Sequence, residues 1–282
     1  MKLRTAWMAF PGALDKACAA VGPFLTELVG AFMFMLTIGL SVLSGGELAP
    51  LAIGLSLMIL VYCGGHISGG HFNPSVSLGV FLTDRGKLSF IRLVGYWVAQ
   101  FLGGFLGALT YWGMTYRTFP LRPGAGFNAG QAFAAELFFS FLLIHAVLQT
   151  ATTKTQAGNS FFGLAIGLSV TAGGVAVGQH MPISGGGFNP AVTTGAIIVN
   201  AIAEGGERFE YIWVYWSGPF VASFVAALLF RVTNRVEFKR GYEDPDEQED
   251  ASLRPKRKKR WRNKVEREEQ QDSGSSFADD QL

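Results

Sequence analysis

Six stretches of the chain stay apolar for about the length of a bilayer crossing: residues 24–45, 48–64, 90–113, 127–149, 160–178 and 211–231. A span needs about 20 mostly apolar residues to cross about 30 Å of hydrocarbon. Lipid offers the backbone no hydrogen-bond partner, so such runs must be helices or a closed barrel, and their length and unbroken apolarity select helices. Two shorter apolar pieces, HFNPSVSLGVFL (71–82) and GFNPAVTTGAIIV (187–199), fall outside this count. Each carries Asn-Pro near its start, a helix-start signal, because the N–H that proline lacks has no partner in the first helical turn anyway. About ten residues rise about 15 Å, half the hydrocarbon thickness. The pattern predicts an all-α membrane protein of six transmembrane helices plus two re-entrant half-helices.

The chain also repeats itself. LAIGLSL at 51–57 returns as LAIGLSV at 164–170, Asn73 returns as Asn189, and Glu27 in FLTELVGAF returns as Glu136 in FAAELFFSF, at offsets of 113, 116 and 109. Three markers in one order at nearly one spacing define a duplication. Each half holds three spans and one half-helix, and an odd number of spans turns the two copies over relative to each other. The result is an inverted internal repeat whose broken helices meet at the midplane.

Charge divides the chain. Of the 23 Lys and Arg, 12 lie in residues 232–282, as do 13 of the 21 Asp and Glu. This predicts a short N-terminal segment (1–22), an apolar body (23–231, halves about 23–115 and 127–231) and a charged C-terminal tail (232–282). Lys2, Arg4, Lys16, Arg85, Lys87, Lys154 and the tail place basic residues on one side. The positive-inside bias then puts both termini in the cytoplasm, against a small opposing contribution from Arg117 and Arg122. The net charge of +2 gives no sign of a nucleic-acid partner. Two cysteines, Cys18 and Cys63, exclude a disulfide framework and a four-cysteine zinc site; Cys63 is expected to be a packed apolar residue. The tail cluster RPKRKKRWRNK suits either a solvated segment or anionic lipid at the cytoplasmic face. Ser273, Ser275 and Ser276 are weak candidates for phosphorylation.

Two half-helices entering from opposite sides would set Asn73 and Asn189 against each other, with both helix N-termini pointing inward. Each N-terminus carries about half a positive charge and unpaired N–H groups, which repel cations but can donate to a neutral solute. The glycine-rich stretches before them, GGHISGG and MPISGGG, offer backbone carbonyls where irregular backbone lines a water-filled path. These features describe a narrow pore for neutral polar solutes.

SGGHFNPSVSLG and SGGGFNPAVTTG resemble the paired Asn-Pro-Ala boxes of the aquaporin, or major intrinsic protein, family, over roughly residues 22–231. The resemblance implies pore-lining boxes Asn73-Pro74-Ser75 and Asn189-Pro190-Ala191, a homotetramer with one pore per subunit, and no cofactor. It implies that Glu27 and Glu136 hold the loop backbones, and that Gly54 and Gly167 are small residues where the second and fifth spans cross. It also implies a selectivity filter. Where family members usually carry Arg after the second box, this chain has Val192. The expected filter neighbours are Ile53, Gly186 and one fifth-span residue, which is Gly174 counted from LAIGLSV and Val177 counted back from Asn189. The resulting expectation is a wide, uncharged filter. Thr193 and the pair Tyr215-Trp216 resemble the water-selective branch, whereas Val192 favours additional passage of glycerol, urea or ammonia.

Other chemistry fits less well. Glu27 and Glu136 could relay protons, since intramembrane carboxylates are functional by default, but no Arg or Lys partners them within the spans. His66 and His71 have the wrong separation for a zinc pair, which leaves pore lining or loop support and no metal. No nucleophile, base and orienter set is present for an enzyme. Secondary transport remains the alternative, because broken midplane helices also build substrate sites.

Overall fold

A computed structural model of the chain describes residues 12–179, 181–205 and 209–238. Eight helices follow one another: α1 (Gly12–Ser44), α2 (Ala49–Ser68), α3 (Pro74–Leu82), α4 (Phe90–Thr115), α5 (Ala129–Ala146), α6 (Phe162–Gly173), α7 (Pro190–Glu204) and α8 (Ile212–Thr233). Wider π-helical turns continue α5 over Val147–Ala151 and α6 over Gly174–Gln179. Six of these elements are long and apolar enough to cross a membrane. The two short ones, α3 and α7, follow Asn73 and Asn189.

Element boundaries depart from the hydrophobic runs in two places. α1 begins at Gly12, so it takes in much of the segment assigned to the N-terminus; residues 16–20 read KACAA, in which alanine and lysine favour helix but carry little apolar signal. α7 has 15 residues against 9 in α3, about 23 Å against about 14 Å. Its extra turn ends in Asn200 and Glu204, and the Asn200 amide donates to Thr118 Oγ1 at 2.8 Å, which ties the helix to the link after α4.

Packing follows the duplication. α1 lies on α4 as α5 lies on α8, α1 on α2 as α5 on α6, and α4 on α7 as α8 on α3, while α2 and α6 pack on each other. At that crossing, a methyl group on Gly54 would stand 2.5 Å from Gly167 O, and one on Gly167 would stand 2.3 Å from Gly54 O. The two backbones therefore touch, as small residues allow in membrane helix pairs.

On the side where α3 ends, one buried ion pair joins three connections. Arg85 follows α3, and its guanidinium lies 3.1 Å from Glu237, just beyond α8. It also donates to Thr152 O at 2.9 Å and to Thr152 Oγ1 at 2.6 Å, and it sits 4.3 Å over the Phe230 ring. Glu237 in turn accepts the Lys154 N–H at 2.6 Å. Burial pushes the Arg85 guanidinium down from its usual range while Glu237 opposes the shift; arginine remains protonated, so the pair holds. The tail features, including the basic cluster and the three serines, lie outside the described residues.

Candidate functional site

The two Asn-Pro segments meet inside the bundle through reciprocal bonds. Asn73 Nδ2 donates to Phe188 O and Asn189 Nδ2 donates to Phe72 O, each at 2.8 Å. Each Asn also caps its own helix, since Oδ1 of Asn73 accepts from Ser75 N at 2.9 Å and Oδ1 of Asn189 from Ala191 N at 3.0 Å. An amide has two N–H donors and one carbonyl oxygen. Capping occupies the oxygen and the cross-link occupies one N–H, so each Asn keeps one N–H for whatever passes. Pro74 and Pro190 open the helices, where proline's missing N–H has no cost.

A carboxylate holds each approach loop. Glu136 accepts Ser184 Oγ–H at 2.7 Å, Gly187 N–H at 2.8 Å and Phe188 N–H at 2.6 Å. Glu27 accepts the matching bonds from Ser68 Oγ–H at 2.6 Å, His71 N–H at 2.9 Å and Phe72 N–H at 2.6 Å. Tyr96 and Tyr215 complete the two sets by donating to Ser68 O and Ser184 O at 2.7 and 2.5 Å. Carboxylates that accept this many charge-assisted bonds fix irregular backbone firmly. Both loops pass through a left-handed residue, Phe72 at φ 48° and Phe188 at φ 49°. The Phe72 ring fills notches left by Gly30 and Gly64, where a methyl would come within 2.1 and 2.8 Å of it; this seat over-determines the strained backbone.

A cavity of about 340 Å³ runs past both Asn side chains. Its wall includes Ile53, Gly174, Gly186, Val192 and His71, and it carries no Asp, Glu, Lys or Arg among the described residues. Gly174 and Val177, alternatives by sequence counting, are separated: Gly174 lies on the wall, whereas Val177 is buried against Ala135 and Phe188. Ser75, Pro74, Pro190 and Ala191 lie behind the wall, buried in the two helix starts. His66 is exposed on the last turn of α2, off the cavity. Cys63 is exposed on α2 and also off the cavity, which corrects the expectation of a packed residue. In a membrane the outer face of a helix is apolar too, so apolar character does not place a residue inside. Tyr215 supports the loop from a fully buried position, and Trp216 donates to Thr194 Oγ1 at 2.9 Å.

Sequence reading missed the contribution of the link between α4 and α5. Phe119 and Leu121 line the cavity, with Phe119 stacked on buried Tyr111 and Leu121 over Gly185. It also missed Ser68, Ser184 and Tyr96, and it read Tyr215 as a marker of solute class rather than as a loop support. The repeated ISGG before each box and the tyrosines at an offset of 119 were signals for these.

Comparison with known proteins agrees with this geometry. The family described as "Major intrinsic protein" matches residues 16–230. A "Probable aquaporin PIP2-7" of Oryza sativa subsp. japonica is 35% identical over 66% of this chain and 65% of its own length, so the chain spans slightly under two thirds of that relative. A "Probable aquaporin TIP1-2" of the same plant is 33% identical over 79% of this chain and 90% of its own. In fold, the chain resembles the X-ray structure of the aquaglyceroporin from Plasmodium falciparum, with a TM-score of 0.65 and 23% identity over 74% of this chain and 95% of that one. With six helices of span length, two half-helices whose N-termini meet inside the bundle and this family match, the chain belongs to the major intrinsic protein family, a family of membrane channels.

Proposed function

We propose that the protein is a passive channel for osmotically driven water flow that also passes small neutral solutes. The observation that carries this reading is the cavity past Asn73 and Asn189, whose wall at Ile53, Gly174, Gly186 and Val192 is small or apolar and uncharged. Each Asn offers one free N–H to a lone pair, and the half-helix N-termini oppose cations. The carbonyls of Gly70, His71, Gly186 and Gly187 take no hydrogen bond from another described residue, so they add acceptors along the path.

In this reading the channel body, expected at 23–231 in two halves, extends from α1 to Phe238, since Glu237 pairs with Arg85, with the rest of the 232–282 segment as a cytoplasmic tail and both termini inside. Asn73, Pro74, Ser75, Asn189, Pro190 and Ala191 form the boxes, while Ile53, Gly174, Gly186 and Val192 form the filter. Outward apolar residues on several helices suit lipid and the homotetramer common in the family. The protein would act by selective passage, not by chemistry on its solute.

Stopped-flow light scattering on proteoliposomes tests the proposal. Water flow above that of bare lipid, with no ion gradient and no saturation, is expected; saturable, gradient-dependent flux would instead indicate a secondary transporter. Glycerol, urea and ammonia uptake should exceed the lipid background and should fall several-fold in Val192→Arg, because a guanidinium adds both bulk and fixed charge to the filter. Equal solute cut-offs in the two proteins would remove the wide-filter reading.

Mercurials should leave the wild-type channel largely open, since Cys18 and Cys63 are exposed and neither lines the cavity. Val192→Cys sets a thiol on the wall and should make water flow mercury-sensitive. Full block of the wild type by mercuric chloride would contradict the placement of both thiols.

A further inference from the structure

Among the described residues His71 is the one titratable residue lining the cavity. Its Nδ1 lies 3.0 Å from Ser77 Oγ. Ser77 Oγ in turn lies 2.9 Å from Gln100 Nε2, which also reaches Glu27 Oε2 at 2.8 Å. The protons in this chain can be assigned. A carboxylate only accepts, so the Gln100 group facing Glu27 is the NH2, and its second hydrogen points at Ser77. Ser77 is fully buried, and no other described acceptor takes its hydroxyl proton, so that proton goes to His71 Nδ1. Nδ1 is then an acceptor, and the ring's hydrogen sits on Nε2, the ring nitrogen nearest Gly69.

The second half of the duplication has no such chain. Gly187 stands at the position matching His71, Thr193 at that of Ser77 and Pro219 at that of Gln100, yet Glu136 holds its loop all the same. Loop support therefore does not require Gln100 or Ser77. We propose that Ser77 and Gln100 are positioning residues that lock His71 as the neutral Nε2–H tautomer, so that this residue of the conduit wall carries no charge. Protonating His71 would place a second proton between Nδ1 and Ser77 Oγ and leave a buried hydroxyl without an acceptor, a costly arrangement.

The titratable groups packed around the imidazole are few. α1 brings Glu27, already engaged with the His71 and Phe72 N–H groups, and α4 brings Tyr96, whose ring meets the imidazole edge-on at 5.5 Å. α3 contributes only Ser77, and the wall residues of α2, α5 and α6 are apolar, among them Val61, Leu143 and Ile166. The proposal rests on the cavity being the conduit, and its test keeps the two ideas apart.

The full chain, carrying ¹⁵N-labelled histidine and reconstituted in lipid vesicles, is read by ring ¹⁵N spectra across pH and by water permeability in the same vesicles, with His71 assigned by difference from His71→Asn. Wild-type His71 should show protonated Nε2 and bare Nδ1 at neutral pH. Ser77→Ala should mix the tautomers and raise the midpoint by about one pH unit or more, a tenfold gain in proton affinity. Water flow in that variant should acquire a pH dependence that the wild type lacks. Gln100→Met should shift the midpoint the same way by less. A protonated Nδ1 in the neutral wild type, or one midpoint shared by wild type and Ser77→Ala, overturns the proposal; the wild-type tautomer decides alone if the variants do not fold. Wild-type vesicles no more permeable than bare lipid would defeat the conduit reading while leaving the tautomer result intact.

Discussion

Glu136→Gln should unfold about 6–12 °C below the wild type in detergent and lose most of its water conductance in vesicles. The substitution keeps the shape of a fully buried side chain but exchanges one acceptor oxygen for a donor. Placed at Oε2, the new NH2 confronts the Phe188 N–H, which now donates at 2.6 Å; placed at Oε1, it confronts the Gly187 N–H at 2.8 Å. Either orientation strands a buried backbone donor, at about 1–3 kcal/mol, and weakens the remaining charge-assisted bonds. A total near 3 kcal/mol corresponds to the shift given, at about 2–4 °C per kcal/mol for a chain of this size. Function suffers because these bonds fix the backbone that presents the Asn189 amide. Glu27→Gln should behave alike, since its carboxylate accepts the matching bonds. An unfolding temperature within a degree of the wild type, with full conductance, would show that the loops hold themselves.

Gly54→Leu should leave no folded channel at all. The first atom of any side chain there would stand 1.9 Å from Thr171 Oγ1 and 2.5 Å from Gly167 O. Thr171 can rotate away, but the carbonyl belongs to the facing backbone, so α2 and α6 must part. Overpacking of a core commonly costs about 1–3 kcal/mol, and here relief requires moving two spans rather than one rotamer. Gly113→Ala is the matched control, because nothing lies within 4 Å of a methyl at that position and alanine favours the helix by about 1 kcal/mol. Membrane-fraction yield and size-exclusion profile check both. A monodisperse, conducting Gly54→Leu protein would mean that the crossing is looser than described.

The two predictions separate the roles within one site. Glycines let the half-bundles come together, and carboxylates then fix the loops that this approach encloses. Ile53, Gly174, Gly186 and Val192 bond to neither carboxylate, so the filter is set apart from the loop supports, although Gly186 at φ 74° admits no side chain without strain.

Much of this was legible along the chain. Six apolar runs of span length, two short runs opened by Asn-Pro and three repeated markers determined the helix count, the half-helices and the inverted repeat, because lipid forces every backbone group into a helix and an odd span count reverses the second copy. The repeated Glu27 and Glu136 marked the loop supports. What the sequence by itself could not decide was register and depth. Gly174 and Val177 compete on counting alone because the loop before the second box is longer, and the π-helical turn Gly174–Gln179 determines which of them meets the cavity; a wider turn leaves no mark on hydrophobic period. Cys63 and His66 are outward for a similar reason, since membrane helices are apolar on both faces. Phe119 and Leu121 reach the wall, and Gln100 reaches Glu27 and Ser77, across 73 and 23 residues of chain, through contacts that exist only once the two halves close on each other.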